Sequence, residues 1–215
     1  MTKDTDQIKS WAGKFGEDYT DRNALTKKEM EDSYVSKYGK SRTELNEQFL
    51  DNIDRSSRIL EVGSNIGNQL LCLQEMGFKD LYGIELQSYA VELSKSRTKG
   101  INITENSGFD IPHKDGYFDL VFTSGVLIHI APSDISLIMK EIHRCTRKYI
   151  WGFEYFADEY TEITYRGNQN LLWKADFPRL YLDQFNDLEM VKEEYIKYLE
   201  NENIDVMFLL QKENK

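Results

Sequence analysis

The sequence predicts an α/β protein built on a doubly wound, mostly parallel sheet. From Arg58 onward, short apolar runs alternate with amphipathic segments of helical period. Glycines at 77 and 100 close two of these helical segments, as expected at helix ends. Such alternation is typical of parallel strands joined by crossover helices. The apolar runs read, in order, RILEV, LYGIE, INIT, YFDLVFT and KYIWGFE.

The segments that flank this alternation predict three additions to the sheet. Residues 1–50 are polar and helical in pattern and are read as a helical cap, because no Pro, Ser or Gly linker separates them from the rest. Residues 155–185 are aromatic and polar and are too long for a simple connection, so they predict an acceptor-side loop or lid. The tail, EMVKEEYIKYLE followed by IDVMFLLQKE, predicts an antiparallel hairpin. At this length we expect one domain over 1–215.

Composition restricts the partners and the location. With 27 Lys and Arg against 37 Asp and Glu, the net charge is −10, which disfavours nucleic acid and anionic membranes as partners. Cys72 and Cys145 have no CxxC partner or metal-ligand neighbour, so no metal site is predicted. The chain shows no signal-peptide pattern and no apolar run near the ~20 residues of a membrane span. We therefore expect a cytoplasmic protein.

The turn after the first strand reads E-x-G-x-N-x-G, from Glu61 to Gly67. Backbone N–H groups of such a turn face the carboxyl edge of the sheet, where ligands of open α/β sheets bind. The dinucleotide pattern G-x-G-x-x-G would need glycines where this chain has Asn65 and Asn68, so NAD is disfavoured. A carboxylate at Glu61 instead suits a ligand that carries an amino group or another cation.

Glu85 ends the second strand, 24 residues beyond Glu61, where an acidic side chain binds the hydroxyls of a ribose. Together the two carboxylates fit a nucleoside without phosphates, although each alone also fits a simple turn or a solvated strand end. After the third strand, Ser107, Gly108 and Phe109 form either an adenine site or an ordinary loop. The fourth strand brings Thr123 and Ser124 to the same edge.

These motifs, in order and spacing, resemble those of class I S-adenosylmethionine-dependent methyltransferases over about residues 58–150. The resemblance rests on ILEVGSNIGNQL, LYGIELQSYAVE, NSGFDIP and YFDLVFTSGVLIHIAP. Over nearly the whole chain, FGEDYTDRN, GVLIHIAP and EYFADEYTEITYRGNQNLLWKADF resemble a methyltransferase family associated with pseudaminic acid biosynthesis. The resemblance implies a Rossmann-like methyltransferase sheet and S-adenosyl-L-methionine as the cofactor.

The resemblance also assigns roles to single residues. It implies that Glu61, Gly63, Ser64, Asn65 and Gly67 surround the methionine part of the cofactor. It further implies a ribose site and an adenine site, formed by Glu85, Leu86, Ser107, Gly108 and Phe109, with Thr123 and Ser124 alongside.

The N-terminal segment contributes two further candidates for the cofactor site. Tyr19 and Arg22 are expected to close over the cofactor, with Arg22 against its carboxylate; a helix that simply packs on the sheet is the alternative.

Methyl transfer needs a positioned acceptor and a dry site, and an alcohol acceptor also needs a base. The candidate bases are His129, Glu154 and Asp176. The candidate acceptor contacts, which alternatively belong to a lid packed on the core, are Tyr155, Tyr165, Arg166, Trp173 and Lys174. Among them, Arg166 and Lys174 suit an anionic group on the acceptor.

The sequence therefore predicts a methyltransferase for an oxygen or nitrogen atom of a small molecule, sugar-derived or amino-acid-like. A noncatalytic cofactor-binding protein and a protein methyltransferase are the alternatives. The sequence leaves open whether the chain is a monomer or a homodimer.

Overall fold

The computed structural model describes residues 5–213 and confirms the predicted α/β fold. One seven-stranded sheet has the order β3-β2-β1-β4-β5-β9-β8. Its first five strands are parallel, whereas β9 lies antiparallel to both β5 and β8. The strands are β1 Arg58–Val62, β2 Asp80–Glu85, β3 Asn102–Glu105, β4 Phe118–Ser124, β5 Thr146–Tyr155, β6 Thr161–Glu162, β7 Trp173–Lys174, β8 Leu188–Lys197 and β9 Ile204–Lys212.

The helices begin and end at the residues their caps dictate. Thr26 and Ser41 each form a capping box with the glutamate three residues on, which starts α3 and α4. The left-handed backbone of Gly67, with φ of 84°, starts α5 directly after the turn. The helices are α1 Asp6–Ala12, α2 Lys14–Arg22, α3 Lys27–Tyr38, α4 Arg42–Leu50, α5 Asn68–Glu75, α6 Ser88–Arg97, α7 Ile135–Cys145 and α8 Phe177–Gln184.

Apolar side chains cover both faces of the sheet, as expected where strands are parallel. Successive residues of β1 point to opposite faces, so Ile59 joins one hydrophobic cluster and Leu60 the other. Leu120 and Val121 of β4 divide in the same way. The sheet core is therefore buried on both sides, and its strand ends are free to form a site.

The predicted C-terminal hairpin is confirmed as β8 and β9. Gly152 of β5 allows β9 to pack closely against β5, because a Cβ at this position would lie 2.2 Å from the Phe208 ring. The register of β5 with β9 places Asp205 beside Tyr155. An acidic residue thus lies at the same sheet edge as the end of β5.

Strand order reverses between β1 and β4, so the loops after β1, β2, β3 and β4 border a crevice at one sheet edge. Residues 155–185 are not irregular throughout, since they contain the β6/β7 pair and all of α8. None of the helices in the described range 5–213 is both long and apolar enough to cross a membrane.

Candidate active site

A cavity of about 400 Å³ lies at the carboxyl edge of the sheet. The loops that follow β1 to β4 form one side of it, and side chains from α1, α2 and α3 form the other. Among the predicted site residues, the structure brings these to the cavity wall: Tyr19, Glu61, Gly63, Ser64, Asn65, Glu85, Leu86, Ser107, Gly108, Phe109, Ser124, His129, Tyr155 and Tyr165.

Glu61 and Gly63 form the bottom of the turn after β1. Gly63 has φ of +72°, and a Cβ there would lie 2.6 Å from Val126 Cγ2, so only glycine fits. Glu61 is 3% exposed, and its Oε2 has no hydrogen-bond partner among the described residues. Burial raises the pKa of Glu61 well above its usual value, and the charge of Arg42 acts in the opposite direction. The turn therefore places the Glu61 carboxyl group at the cavity wall, with its Oε2 buried.

Glu85 is held by the backbone on both of its oxygens. Its Oε2 accepts from the Asn65 N–H and its Oε1 from the Gln87 N–H, each at 2.8 Å. Burial raises its pKa, and these N–H groups lower it. The carboxyl group is thus fixed in one orientation between two loops, which suits recognition of a diol.

The loop after β3 lies flat against the sheet. A Cβ at Gly108 would come within 2.9 Å of Val62 Cγ1 and of Ile138 Cδ1. The Ser107 hydroxyl accepts from the Phe109 N–H at 3.2 Å, which shapes the turn. Phe109 packs against the larger core cluster and lines the cavity. The loop forms a shallow wall of backbone and one aromatic ring.

The helices α1 and α2 are tied to the sheet edge by two amide side chains. Gln87 Nε2 donates to the carbonyl oxygens of Ala12 and Gly13, both at 2.9 Å. Asn65 Nδ2 donates to Thr20 Oγ1 at 3.0 Å. These bonds hold Trp11 and Tyr19, as well as α2, over the cavity.

Arg22 does not reach the cavity that the sequence predicted for it. Its side chain is exposed, whereas Asn23 lines the wall in its place. Gly67 also lies outside the wall and serves instead as the N-cap of α5. Neither Trp11 nor Gln87 was predicted from sequence, because Gln87 bonds to residues that lie 74 to 76 positions away and no local pattern indicates such a contact.

His129 lies in a short 3-10 helix, Leu127–His129, beside the aromatic side chains that cover the cavity. Its Nδ1 donates to the Leu171 carbonyl oxygen at 2.7 Å, which leaves Nε2 with its lone pair. Burial lowers the pKa of His129 to about 4. Its ring lies 4.3 Å from that of Trp11 and 5.6 Å from that of Tyr165. His129 is therefore a neutral member of the cover at physiological pH.

Glu154 does not line the cavity, contrary to its predicted role as a base. It is 1% exposed, and its Oε2 accepts from the N–H groups of Val126 at 3.0 Å and Ile128 at 3.4 Å. The Thr123 side chain also bonds to it. Burial raises the pKa of Glu154 to about 7. Glu154 and Thr123 therefore position the loop after β4 without lining the cavity.

Four other predicted residues lie outside the cavity for local reasons. Asp176 is the N-cap of α8, where its Oδ1 accepts from the Arg179 N–H at 3.1 Å. Arg166 is exposed in the turn closed by the bridge between Tyr165 and Asn168. Buried Trp173 belongs to β7, and Lys174 donates to Asn203 Oδ1 at 2.5 Å. The structure therefore does not bring the predicted anion contacts to the site.

Apart from Tyr155, the sequence did not predict the residues of an aromatic and charged end of the cavity. It is formed by Tyr34, Lys37 and Tyr38 of α3, by Phe153 and Tyr155 of β5, and by Asp205 of β9, and is called the α3 pocket below. Three distant segments form it, so no local motif indicates it. The one available signal was an acidic residue at the start of an otherwise apolar strand, IDVMFLL.

Comparison with known families explains this arrangement. Residues 60–149, from β1 to within β5, match the family model described as a methyltransferase domain. Residues 60–149 therefore carry a methyltransferase domain. No curated protein matches the chain in sequence.

Solved structures with the same fold include two that align over nearly the whole chain. A 1,6-didemethyltoxoflavin-N1-methyltransferase from Burkholderia thailandensis, with 1,6-didemethyltoxoflavin and S-adenosylhomocysteine bound, is 13% identical, with a TM-score of 0.72 over 100% of this chain and 92% of its own. A methyltransferase from Leishmania major is 17% identical, with a TM-score of 0.73 over 96% and 87%.

Proposed function

We propose that this methyltransferase transfers a methyl group to a small, anionic acceptor that is sugar-derived or amino-acid-like. The observation that carries the proposal is the position of Lys37 in the α3 pocket. Lys37 is the only Lys or Arg among the described residues that line the cavity. An anionic group on the acceptor therefore has one cationic contact available, and it lies at the end away from the β1 turn.

The other end of the cavity fits the cofactor. The Glu61 carboxyl group at the cavity wall binds the amino group of the cofactor, and the Gly63 turn leaves no Cβ in the way. Glu85 takes the ribose hydroxyls, and Phe109 lies against the adenine. When bound, the cofactor supplies a methyl group on a sulfonium sulfur. The residues of this end bind and orient it.

Aromatic side chains make the α3 pocket suitable for a ring. Tyr38 and Tyr34 lie 5.8 and 6.1 Å from Phe153, ring centroid to centroid. Such rings pack on the apolar face of a sugar or a planar molecule, and Lys37 then holds an acidic group at its edge. An acidic sugar of the pseudaminic or sialic type has both features, which agrees with the resemblance over the whole chain.

The cover over the cavity favours a small molecule over a protein substrate. Phe15 of α2 and Tyr165 of the 161–174 hairpin lie 5.9 Å apart, so two segments meet above the site. We propose that this hairpin is a lid that excludes water during transfer. The Burkholderia neighbour, which contains 1,6-didemethyltoxoflavin, is also a methyltransferase of a small molecule.

The test is transfer of label from methyl-labelled S-adenosylmethionine to a panel of N-acetylneuraminic acid, glycine and tyramine. We expect N-acetylneuraminic acid to accept label, and Lys37→Met to raise its KM at least tenfold. Arg166→Ala, a matched loss of a cation outside the cavity, is expected to leave KM unchanged. Transfer to tyramine alone, or a Lys37→Met variant with an unchanged KM, would contradict an anionic acceptor.

A further inference from the structure

We propose that Tyr38 and Asp205 together take the proton from the acceptor, and that the acceptor atom is therefore a hydroxyl oxygen. This inference rests on the proposed function and specifies the reacting atom of the same site. Both residues line the α3 pocket. None of the three bases predicted from sequence is part of the pair.

The hydrogen bond between the two residues sets the direction of proton transfer. The Tyr38 hydroxyl donates to Asp205 Oδ2 at 2.5 Å. Because its own proton points to the carboxylate, the Tyr38 oxygen has lone pairs left to accept a hydrogen bond from the acceptor. Asp205 is only 1% exposed and Tyr38 is 8% exposed, so Tyr38 is the more accessible residue of the pair.

A second phenol fixes the carboxylate from the other side. Tyr198 OH lies 3.1 Å from each oxygen of Asp205 and does not line the cavity. Asp205 is thus oriented by two donors, one of which faces the acceptor. Such a pair, with a carboxylate behind a hydroxyl, is the arrangement that a proton relay requires.

The other candidate bases are occupied or too weak. Glu154 accepts backbone N–H bonds behind the loop after β4, and Asp176 caps α8. His129 lines the cavity, but burial lowers its pKa to about 4, whereas burial raises the pKa of Asp205 to about 6. A proton acceptor works best when its pKa is near the working pH, which favours Asp205.

The position of the pair leaves room for an acceptor between it and the cofactor end. Ser124 of β4 pairs with Phe153 of β5, and Tyr155 of β5 pairs with Asp205 of β9. Asp205 is therefore two strands away from Ser124, with β5 between them, so an acceptor that reaches both ends of the cavity lies across the end of β5.

The proposed step conserves atoms and charge. The acceptor oxygen forms a bond to the methyl carbon as the carbon–sulfur bond breaks, and that electron pair stays on sulfur, which becomes neutral. The acceptor proton passes to the Tyr38 oxygen, and the Tyr38 proton passes to Asp205. The products are the methyl ether, S-adenosylhomocysteine and a neutral Asp205 carboxyl group.

Several groups around Asp205 set its ionisation. Lys37 and Tyr38 face it from α3, Tyr198 from the end of β8, and Lys174 acts from β7; each lowers its pKa. Tyr34 and Tyr155 complete the surroundings and carry no charge at neutral pH, because burial raises the pKa of each. Below the pKa of Asp205 the relay is blocked, so the rate should fall as the pH drops through about 6.

The experiment measures kcat and KM for N-acetylneuraminic acid, and S-adenosylhomocysteine binding by calorimetry, in Tyr38→Phe and Asp205→Asn. We expect kcat to fall at least 100-fold in both, with S-adenosylhomocysteine affinity within twofold of wild type. The matched control Tyr195→Phe changes an exposed tyrosine of β8 and should keep wild-type kcat. Unchanged cofactor-product affinity also shows that both variants fold.

Tyr198→Phe supplies a readout that simple loss of structure would not give. Because its hydroxyl lowers the pKa of Asp205, its removal should move the acidic limb of the pH–kcat profile to higher pH. Full kcat in Tyr38→Phe, an unshifted limb in Tyr198→Phe, or label on an amine nitrogen would each overturn the relay. Binding of S-adenosylhomocysteine with no label on any hydroxyl would overturn it as well. If the wild-type protein does not bind S-adenosylhomocysteine at all, the proposed function itself is refuted.

Discussion

The backbone N–H of Asn65 donates to Glu85 Oε2 at 2.8 Å and so joins the turn after β1 to the end of β2. The other oxygen of Glu85 accepts from Gln87, the residue that holds the end of α1. One carboxylate thus connects both loops of the proposed cofactor site and, through Gln87, its helical cover.

Glu85→Ala should therefore weaken S-adenosylhomocysteine binding at least tenfold, because the ribose hydroxyls lose their acceptor and the β1 turn loses an anchor. Calorimetric titration measures this. The matched control is Glu105→Ala, since Glu105 pairs with Glu85 in the sheet but is exposed. Equal affinities in Glu85→Ala and wild type would remove Glu85 from the site.

Trp11 should report cofactor binding by its fluorescence. Among the three tryptophans, only Trp11 lines the cavity; Trp151 and Trp173 are buried elsewhere. We expect titration with S-adenosylhomocysteine to change the emission of wild type and of Trp173→Phe, and to leave that of Trp11→Phe nearly constant. A signal that persists in Trp11→Phe would place the ligand away from α1.

The cofactor end of the site was predictable because its residues follow strands directly. Glu61, Gly63 and Glu85 occur at fixed positions relative to apolar runs, and parallel strands place such positions at one edge. Val62 pairs with Ile84 in the sheet, so the ends of β1 and β2 are level. Local pattern and topology therefore agree at this end.

The acceptor end was not predictable in the same way. Tyr38 and Asp205 are 167 residues apart and meet only because β9 inserts between β5 and β8. Asp176 could have been assigned correctly, since an aspartate shortly before Pro178 is typical of a helix start. Arg166 has φ of +51° in a turn, a conformation that sequence alone does not specify for arginine.

Arg42 is a buried cation whose removal should destabilise the fold. It is fully buried, its Nη1 donates to Tyr34 OH at 3.2 Å, and its charge opposes the raised pKa of buried Glu61. Arg42→Met leaves that carboxyl without a nearby cation, and we expect the free energy of unfolding in urea to fall by about 3 kcal/mol. The double variant Arg42→Met/Glu61→Gln should recover part of this loss.

The matched control for Arg42 is Arg179→Met, because the ion pair of Arg179 with Asp183 is exposed. Its expected effect is within about 0.5 kcal/mol. Additive losses in the Arg42 and Glu61 variants would show that the two charges do not interact.

Glu154 should make the stability of the protein depend on pH in a defined direction. Burial raises its pKa from 4.5 to about 7 in the folded state, so between these values the folded protein binds more protons at this site than the unfolded chain. The free energy of unfolding then decreases as the pH rises from 4.5 to 7, by up to about 3 kcal/mol from this group.

The Glu154→Gln side chain cannot ionise, so this variant should show a flatter dependence of the free energy of unfolding on pH, measured by urea unfolding at pH 4.5 to 7.5. Glu159→Gln, which changes an exposed glutamate five residues away, should keep the wild-type slope. If the Glu154→Gln and wild-type profiles are parallel, the carboxylate is ionised throughout this range and its bonds to Val126 and Ile128 stabilise the loop as a charged group.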